Sequence, residues 1–169
     1  MVHKIIKFFI SSPLLIYAIR CLIGFFIGYG LFMKYPEYEL FWTLLSIILV
    51  ISPEERDSRR LSIERFKSNF IGSIVALVCL VFHDSNLYLI LTGMLLTIIV
   101  CRIFKVMNMA RVALVALLII MVQPHHTAMN VAPIFRCASV GLGCIIGLTI
   151  VVLTSMALRP LKRRYEVPY

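Results

Sequence analysis

The chain has 169 residues, 61% of them hydrophobic and only 15% charged, with a formal net charge of +9. A soluble domain carries about 45–50% apolar and about 25% charged residues, and a chain this short has ample surface to cover with polar side chains. This balance excludes a soluble enzyme, a secreted disulfide scaffold and a disordered binder, and leaves an integral membrane protein with little outside the bilayer.

A spanning helix takes about 20 mostly apolar residues, and the chain holds six apolar runs of varying length. The first covers 13–33 and is interrupted only by Arg20. It follows Lys4 and Lys7 as a signal peptide would, but it has no small-residue cleavage site and five more runs follow it, so it reads as a retained helix. The others cover 40–51, closed by Pro53; 66–82; 87–101; 109–122, closed by Pro124; and 134–158. The expected fold is an all-α integral membrane protein with six transmembrane helices in two inverted three-helix repeats. Its segments are a cytoplasmic N-terminus (1–12), a first repeat (13–86), a second repeat (87–158) and a basic cytoplasmic tail (159–169).

Charge sets the orientation. Six spans put both termini on one side, and 14 of the 17 basic residues fall there: Lys4, Lys7, Arg56, Arg59, Arg60, Arg65, Lys67, Arg102, Lys105, Arg111, Arg159, Lys162, Arg163 and Arg164. The opposite side has Lys34 alone, and Arg20 and Arg136 are left for the membrane. The positive-inside rule places both termini in the cytoplasm of a cell (inner) membrane protein. The same charge makes anionic lipid headgroups, not nucleic acid, the natural partner of the basic tail.

A repeat organises the two halves. At an offset of 71, Pro53 falls on Pro124, Arg65 on Arg136 and Gly72 on Gly143, with Ser68 on Ser139 between them. Each half reads as apolar run, proline, arginine, then Gly-x-x-x-small (Gly72 with Ala76, and Gly143 with Gly147). Three spans cross the membrane an odd number of times, so the second copy enters from the opposite side. Inverted repeats build many secondary transporters, and paired short or broken segments mark their pathway. The runs ending at Pro53 and Pro124 are such a pair. A duplicated scaffold that transports nothing would show the same pattern.

The chemistry-bearing residues are few. Glu37, Glu39, Glu54, Glu55, Asp57, Glu64, Asp84 and Glu166 all fall in loops, at helix ends or at the terminus, which argues against proton coupling through an intramembrane carboxylate. Arg20 and Arg136 remain near membrane depth, where an arginine normally faces a wet cavity or a partner. For Arg20 the plainer alternative is snorkelling to lipid phosphate. For Arg136, on a helix expected to start near Thr127 and to kink at Pro133, it is an ion pair with Glu37, Glu39 or Asp84. Arg65 shares a basic loop with Arg59, Arg60 and Lys67, where topology control is the plainer role.

His125 and His126 are adjacent, with no third ligand at metal spacing, so no metal is expected. Cys21, Cys79, Cys101, Cys137 and Cys144 are scattered, lack a C-x-x-C pair and read as packing residues. Trp42, Tyr29, Tyr35 and Tyr38 fit an interfacial belt. Gly24 and Gly28 join the repeat glycines Gly72, Gly143 and Gly147 as close-contact helix faces. No phosphate loop, nucleophile elbow or cofactor fingerprint is present, so neither an enzyme nor a cofactor is expected.

The stretch Phe41-Trp42-Thr43-Leu44-Leu45 through Pro53, then Ile63-Glu64-Arg65-Phe66 and Ile71-Gly72-Ser73, resembles the membrane module of the fusaric acid resistance, or aromatic acid exporter, family. Pro124, Arg136 and Gly143 repeat it, and the resemblance covers roughly residues 14–158. It implies a six-helix unit exporting small organic acids, distantly similar to the plant aluminium-activated malate transporters, which are dimeric anion channels. Carried over by position, Arg65 and Arg136 are the family-like arginines.

The expected function is therefore a channel or exporter moving small organic, possibly aromatic, anions out of the cell. The pathway candidates are Arg136, Arg20 and Arg65, with Pro53 and Pro124 at the helix breaks. The expected assembly is a homodimer, with a soluble or periplasmic partner left open. The competing reading is a non-transporting membrane subunit or scaffold of a larger assembly.

Overall fold

The computed structural model describes residues 12–35, 40–82, 87–104, 107–122 and 132–164. Among them stand six α-helices: α1 (Pro13–Lys34), α2 (Phe41–Val50), α3 (Glu55–Phe82), α4 (Leu87–Ile103), α5 (Ala110–Val122) and α6 (Ala132–Arg164). A short 3-10 turn, Met107–Met109, leads into α5. The helices follow the apolar runs, with two exceptions.

The basic segment before Phe66, read as a loop, is helical from Glu55. Pro53 cannot continue α2, and Glu55 and Asp57 then occupy the first turn of α3, where negative charge suits the helix dipole. Arg59 pairs with Glu55 one turn away at 2.7 Å. Glu64 and Arg65 therefore lie on a helix too. The second exception is α6, which runs through Pro160 to Arg164, so the start of the expected tail is helical. The described part of α6 begins at Ala132, placing Pro133 in the first turn, where its missing N–H is harmless. The expected start near Thr127, like Pro124, His125 and His126, lies outside the described residues.

Two helices are long and apolar enough to cross a membrane, α1 over its whole length and α6 over Pro133–Leu158. α2, with 10 residues, rises only about 15 Å against a hydrocarbon core of about 30 Å. The segments 87–103 and 107–122 are also apolar but shorter than a full span. Hydroxyls on these helices bond back one turn, as Ser46 does to the Trp42 carbonyl at 2.7 Å and Thr97 to Gly93 at 2.8 Å. Large apolar side chains are exposed on every helix, among them Phe26, Leu91, Leu95, Ile99 and Leu153. Such surface suits lipid and not water.

The chain forms two compact units, Met1–Ser62 with Leu142–Tyr169, and Ile63–Gly141. The first joins the two ends of the chain and the second is its continuous middle. The first unit contains α1, α2, the start of α3 and most of α6; the second contains the rest of α3, α4, α5 and the start of α6.

In the first unit, α2 is gripped by glycines from both sides. A Cβ on Gly24 of α1 would stand 2.8 Å from Ile47, and one on Gly28 would stand 2.7 Å from Leu44. From the other side, a Cβ on Gly143 of α6 would stand 2.6 Å from the Thr43 carbonyl oxygen. In the second unit, α5 is gripped in the same way. A Cβ on Gly72 of α3 would stand 2.5 Å from the Ala113 carbonyl oxygen, and one on Gly93 of α4 would stand 3.3 Å from Leu117.

Gly147 also makes a close contact, though a less tight one than Gly143. It is buried on α6 and faces α2, but a Cβ there would stand 3.1 Å from the Ile47 carbonyl oxygen and 3.3 Å from Val50. The backbones are thus further apart at Gly147 than at Gly143, one turn earlier. Its repeat mate is Ala76, which keeps a methyl group while wholly buried.

The buried positions correspond residue by residue. On α2 they are Thr43, Ser46, Ile47, Val50 and Ile51; on α5 they are Ala113, Ala116, Leu117, Ile120 and Met121, at a constant offset of 70. On α3 and α6 the buried pairs Ser68/Ser139, Gly72/Gly143, Ala76/Gly147, Cys79/Ile150 and Leu80/Val151 keep the offset of 71. On α1 and α4 the buried pairs Gly24/Gly93 and Gly28/Thr97 stand 69 apart. Among the described residues Cys79, Cys101 and Cys144 are buried, and Cys79 and Cys101 pack in apolar clusters.

Candidate functional site

Arg20 makes four side-chain hydrogen bonds within the first unit. It sits two turns into α1 on the stripe Ile16, Arg20, Gly24, Gly28 that faces inward, and only 3% of it is exposed. Its Nη1 donates to the Ser52 carbonyl at 2.8 Å and to the Pro53 carbonyl at 2.7 Å. Nε donates to the Thr154 hydroxyl at 2.9 Å, and Nη2 to the Ser155 hydroxyl at 2.8 Å. One guanidinium thus ties α1 to the α2–α3 turn and to α6.

The reason lies in the turn. α2 stops at Val50 because Ile51 turns to extended backbone (φ −66°, ψ 127°) ahead of Pro53. The carbonyls beyond that stop have no helical partner, and a cation at a helix C-terminus also meets the negative end of its dipole. Ser58 secures the other side of the turn, accepting the Ser52 N–H at 2.9 Å through its hydroxyl while wholly buried. All four of these Arg20 hydrogen bonds go to protein acceptors.

Arg20 also borders a groove of about 260 Å³ between α1 and α6, lined otherwise by Leu15, Ile16, Ile19, Thr154, Ala157 and Leu158. Four of its five N–H donors are committed, which leaves one on Nη2.

Arg136 lies in the second turn of the described part of α6 and is 4% exposed. Arg65, its counterpart on α3, is half-buried, and its carbonyl accepts from both the Ser68 hydroxyl and the Asn69 amide at 3.0 Å. Arg65 and Arg136 belong to the second unit, Arg20 and Pro53 to the first. Pro53 is exposed at the α2–α3 bend, with its carbonyl committed to Arg20. The packing glycines divide likewise: Gly24, Gly28, Gly143 and Gly147 belong to the first unit and Gly72 to the second. Among the described residues, the acidic side chains are confined to Glu54, Glu55, Asp57 and Glu64, at or near the start of α3. No cluster of metal-binding side chains occurs among the described residues.

Sequence reasoning singled out Arg20 but missed what holds it. Thr154 and Ser155, the adjacent hydroxyls in the last apolar run, were the available signal, since a buried cation in a nonpolar segment needs neutral acceptors.

A family model described as fusaric acid resistance protein-like matches residues 19–150. The chain belongs to this family. It is a family of membrane efflux and resistance proteins, in general transporters and not enzymes, and the chain is accordingly a membrane protein with candidate helical spans. The matched region begins one residue before Arg20 and takes in Pro53, Arg65 and Arg136. No curated protein and no solved structure matches the chain.

Proposed function

We propose that this fusaric acid resistance-like protein moves small organic anions out of the cell, and that fixed arginine charge makes the pathway selective. The observation that carries the reading is the burial of Arg136 and Arg20 on apolar helices of a membrane protein. A charged side chain within a spanning segment is costly and marks a functional position or a pairing partner. Arginine stays charged at any physiological pH, and cationic side chains lining a pore admit anions and reject cations.

In this reading Arg136 is the outer element of the pathway and Arg65 stands near the cytoplasmic mouth, so that anions meet a basic residue at each end. Arg20 holds the α2–α3 turn in place and offers its remaining N–H to a passing anion. Pro53 and Pro124 end the two short helices beside the pathway. Flow down the electrochemical gradient needs no titrating carboxylate, and a negative-inside potential drives anions outward.

The architecture proposed for this work is two inverted three-helix halves with both termini cytoplasmic. The matched burial of α1 with α4, α2 with α5 and α3 with α6 supports the duplication. Three helices per copy require the second copy to be inverted. A homodimer completes the proposal, since a single six-helix unit is small for a closed pathway.

The test is anion efflux from liposomes carrying the purified protein. Arg136→Ala should reduce the flux and Arg136→Lys should retain part of it. Normal flux and selectivity in Arg136→Ala would make the arginine structural and the mechanism wrong.

A further inference from the structure

A second cavity lies in the second unit, apart from the arginines of the proposed pathway. It is a groove of about 520 Å³ between α3 and the end of α4, lined by Lys67, Phe70, Ile71, Ile74, Val75, Val100 and Phe104. On α3 the spacing 67, 70, 71, 74, 75 is that of one helix face. α3 and α4 close together where a Cβ on Gly93 would stand 3.2 Å from the Cys79 sulfur. The groove opens away from that contact, toward Lys67 and Phe104. Ile71, which packs on the Cys101–Ala110–Ala113 core, and Val75, part of the neighbouring core, form its floor. Phe70, Ile74 and Phe104 stand exposed around it.

We infer that this groove is a selective site for one phospholipid with an anionic headgroup, its acyl chain lying along α3 and its phosphate meeting Lys67. Two observations commit it to a lipid. From Lys67 to Val75 the groove follows α3 for about 12 Å, close to the depth of one leaflet, about 15 Å, or half the hydrocarbon core. Its lining is apolar except at one end, where the single cation stands, and that is the polarity of a lipid entering from one leaflet. Lys67 is exposed and its long stem reaches a headgroup without burying charge. Arg102, exposed in the last turn of α4, adds positive charge near the same end of that helix.

The chain has one tryptophan, Trp42 on α2, so a site-specific reporter is straightforward. In the full-length protein, Trp42→Phe is combined with Phe70→Trp to place the fluorophore in the groove, or with Leu95→Trp to place it on the outward face of α4. Each protein is reconstituted with phosphatidylcholine containing brominated phosphatidylglycerol, or brominated phosphatidylcholine at the same mole fraction. The groove reporter should prefer the anionic lipid about fivefold, roughly what one basic residue near a membrane surface supplies. Lys67→Ala should abolish that preference, and the Leu95→Trp reporter should show none.

Equal quenching by both lipids at Phe70→Trp, unchanged by Lys67→Ala, would overturn the inference. So would relief of quenching by millimolar benzoate, which would make the groove a solute site. Neither outcome bears on Arg136, so the transport reading stands or falls separately.

Discussion

Replacing Arg20 with methionine keeps an unbranched apolar stem but removes all four hydrogen bonds to Ser52, Pro53, Thr154 and Ser155. The two carbonyls suffer most, because a buried acceptor left without a donor costs about 1–3 kcal/mol. Thr154 suffers least, since its hydroxyl already donates to the Ile150 carbonyl at 2.8 Å. Removing the buried charge returns part of its desolvation penalty, so the net loss should be about 3 kcal/mol. Arg20→Lys keeps a cation at the end of α2 but loses the fork, and should fall about midway. Thr154→Val alone should cost about 1 kcal/mol, and the double variant less than the sum, because both remove the same bond. The assay is equilibrium unfolding in mixed micelles followed by Trp42, which lies on the helix that Arg20 anchors. If Arg20→Met unfolds within about 0.5 kcal/mol of the parent, or the cycle is additive, the guanidinium does not hold this joint.

Gly72→Val and Gly143→Val each drive a side chain into a neighbouring backbone carbonyl, and each should destabilise by about 1–3 kcal/mol in the same assay, whereas Gly30→Ala, with nothing within 4 Å of its added Cβ, should be neutral. Ser58→Ala strips the Ser52 N–H of its acceptor and should cost about 1–3 kcal/mol, with Arg59→Ala, on an exposed ion pair, close to neutral. Cysteine labelling in cells at the exposed Asp57 and at His125 should find them on opposite sides of the membrane; finding both on one side would end the inverted arrangement. Mass determination in nanodiscs should give a dimer, and a purely monomeric mass there and in mild detergent would count against it.

The helices were legible because each apolar run is bounded by a proline or a charge, and the observed ends at Pro13, Phe41, Leu87 and Val122 stand within about one residue of the runs. The start of α3 was not, because 55–65 is amphiphilic and charged, and apolarity alone reads such a segment as loop. Pro53 and the Glu55–Arg59 pair were the helix signals there. The glycines announced close contacts, but not that Gly143 of α6 meets α2 while Gly72 of α3 meets α5. Nor did they announce that Gly147 stands further from α2 than Gly143 does, since a Gly-x-x-x-Gly spacing carries no information on how two helices diverge. The offset of 71 exposed the likeness of α3 and α6 and of Pro53 and Pro124 before them. The offsets of 69 and 70 for the other pairs hide from a single shift and emerge only from burial. Arg20 was marked by its cost in an apolar run, yet its partners lie up to 135 residues away and no sequence spacing reveals them.

The central claim is tested most directly by flux through the purified, unmodified protein in sealed liposomes under an imposed potential. Small organic anions such as benzoate and malate should leave faster than from protein-free vesicles and in the direction that the potential drives them. Potassium should not follow, and the rate should hold steady across neutral pH because arginine charge does not titrate there. Anion flux no greater than that of protein-free vesicles, or a flux carried equally by cations, would contradict the account.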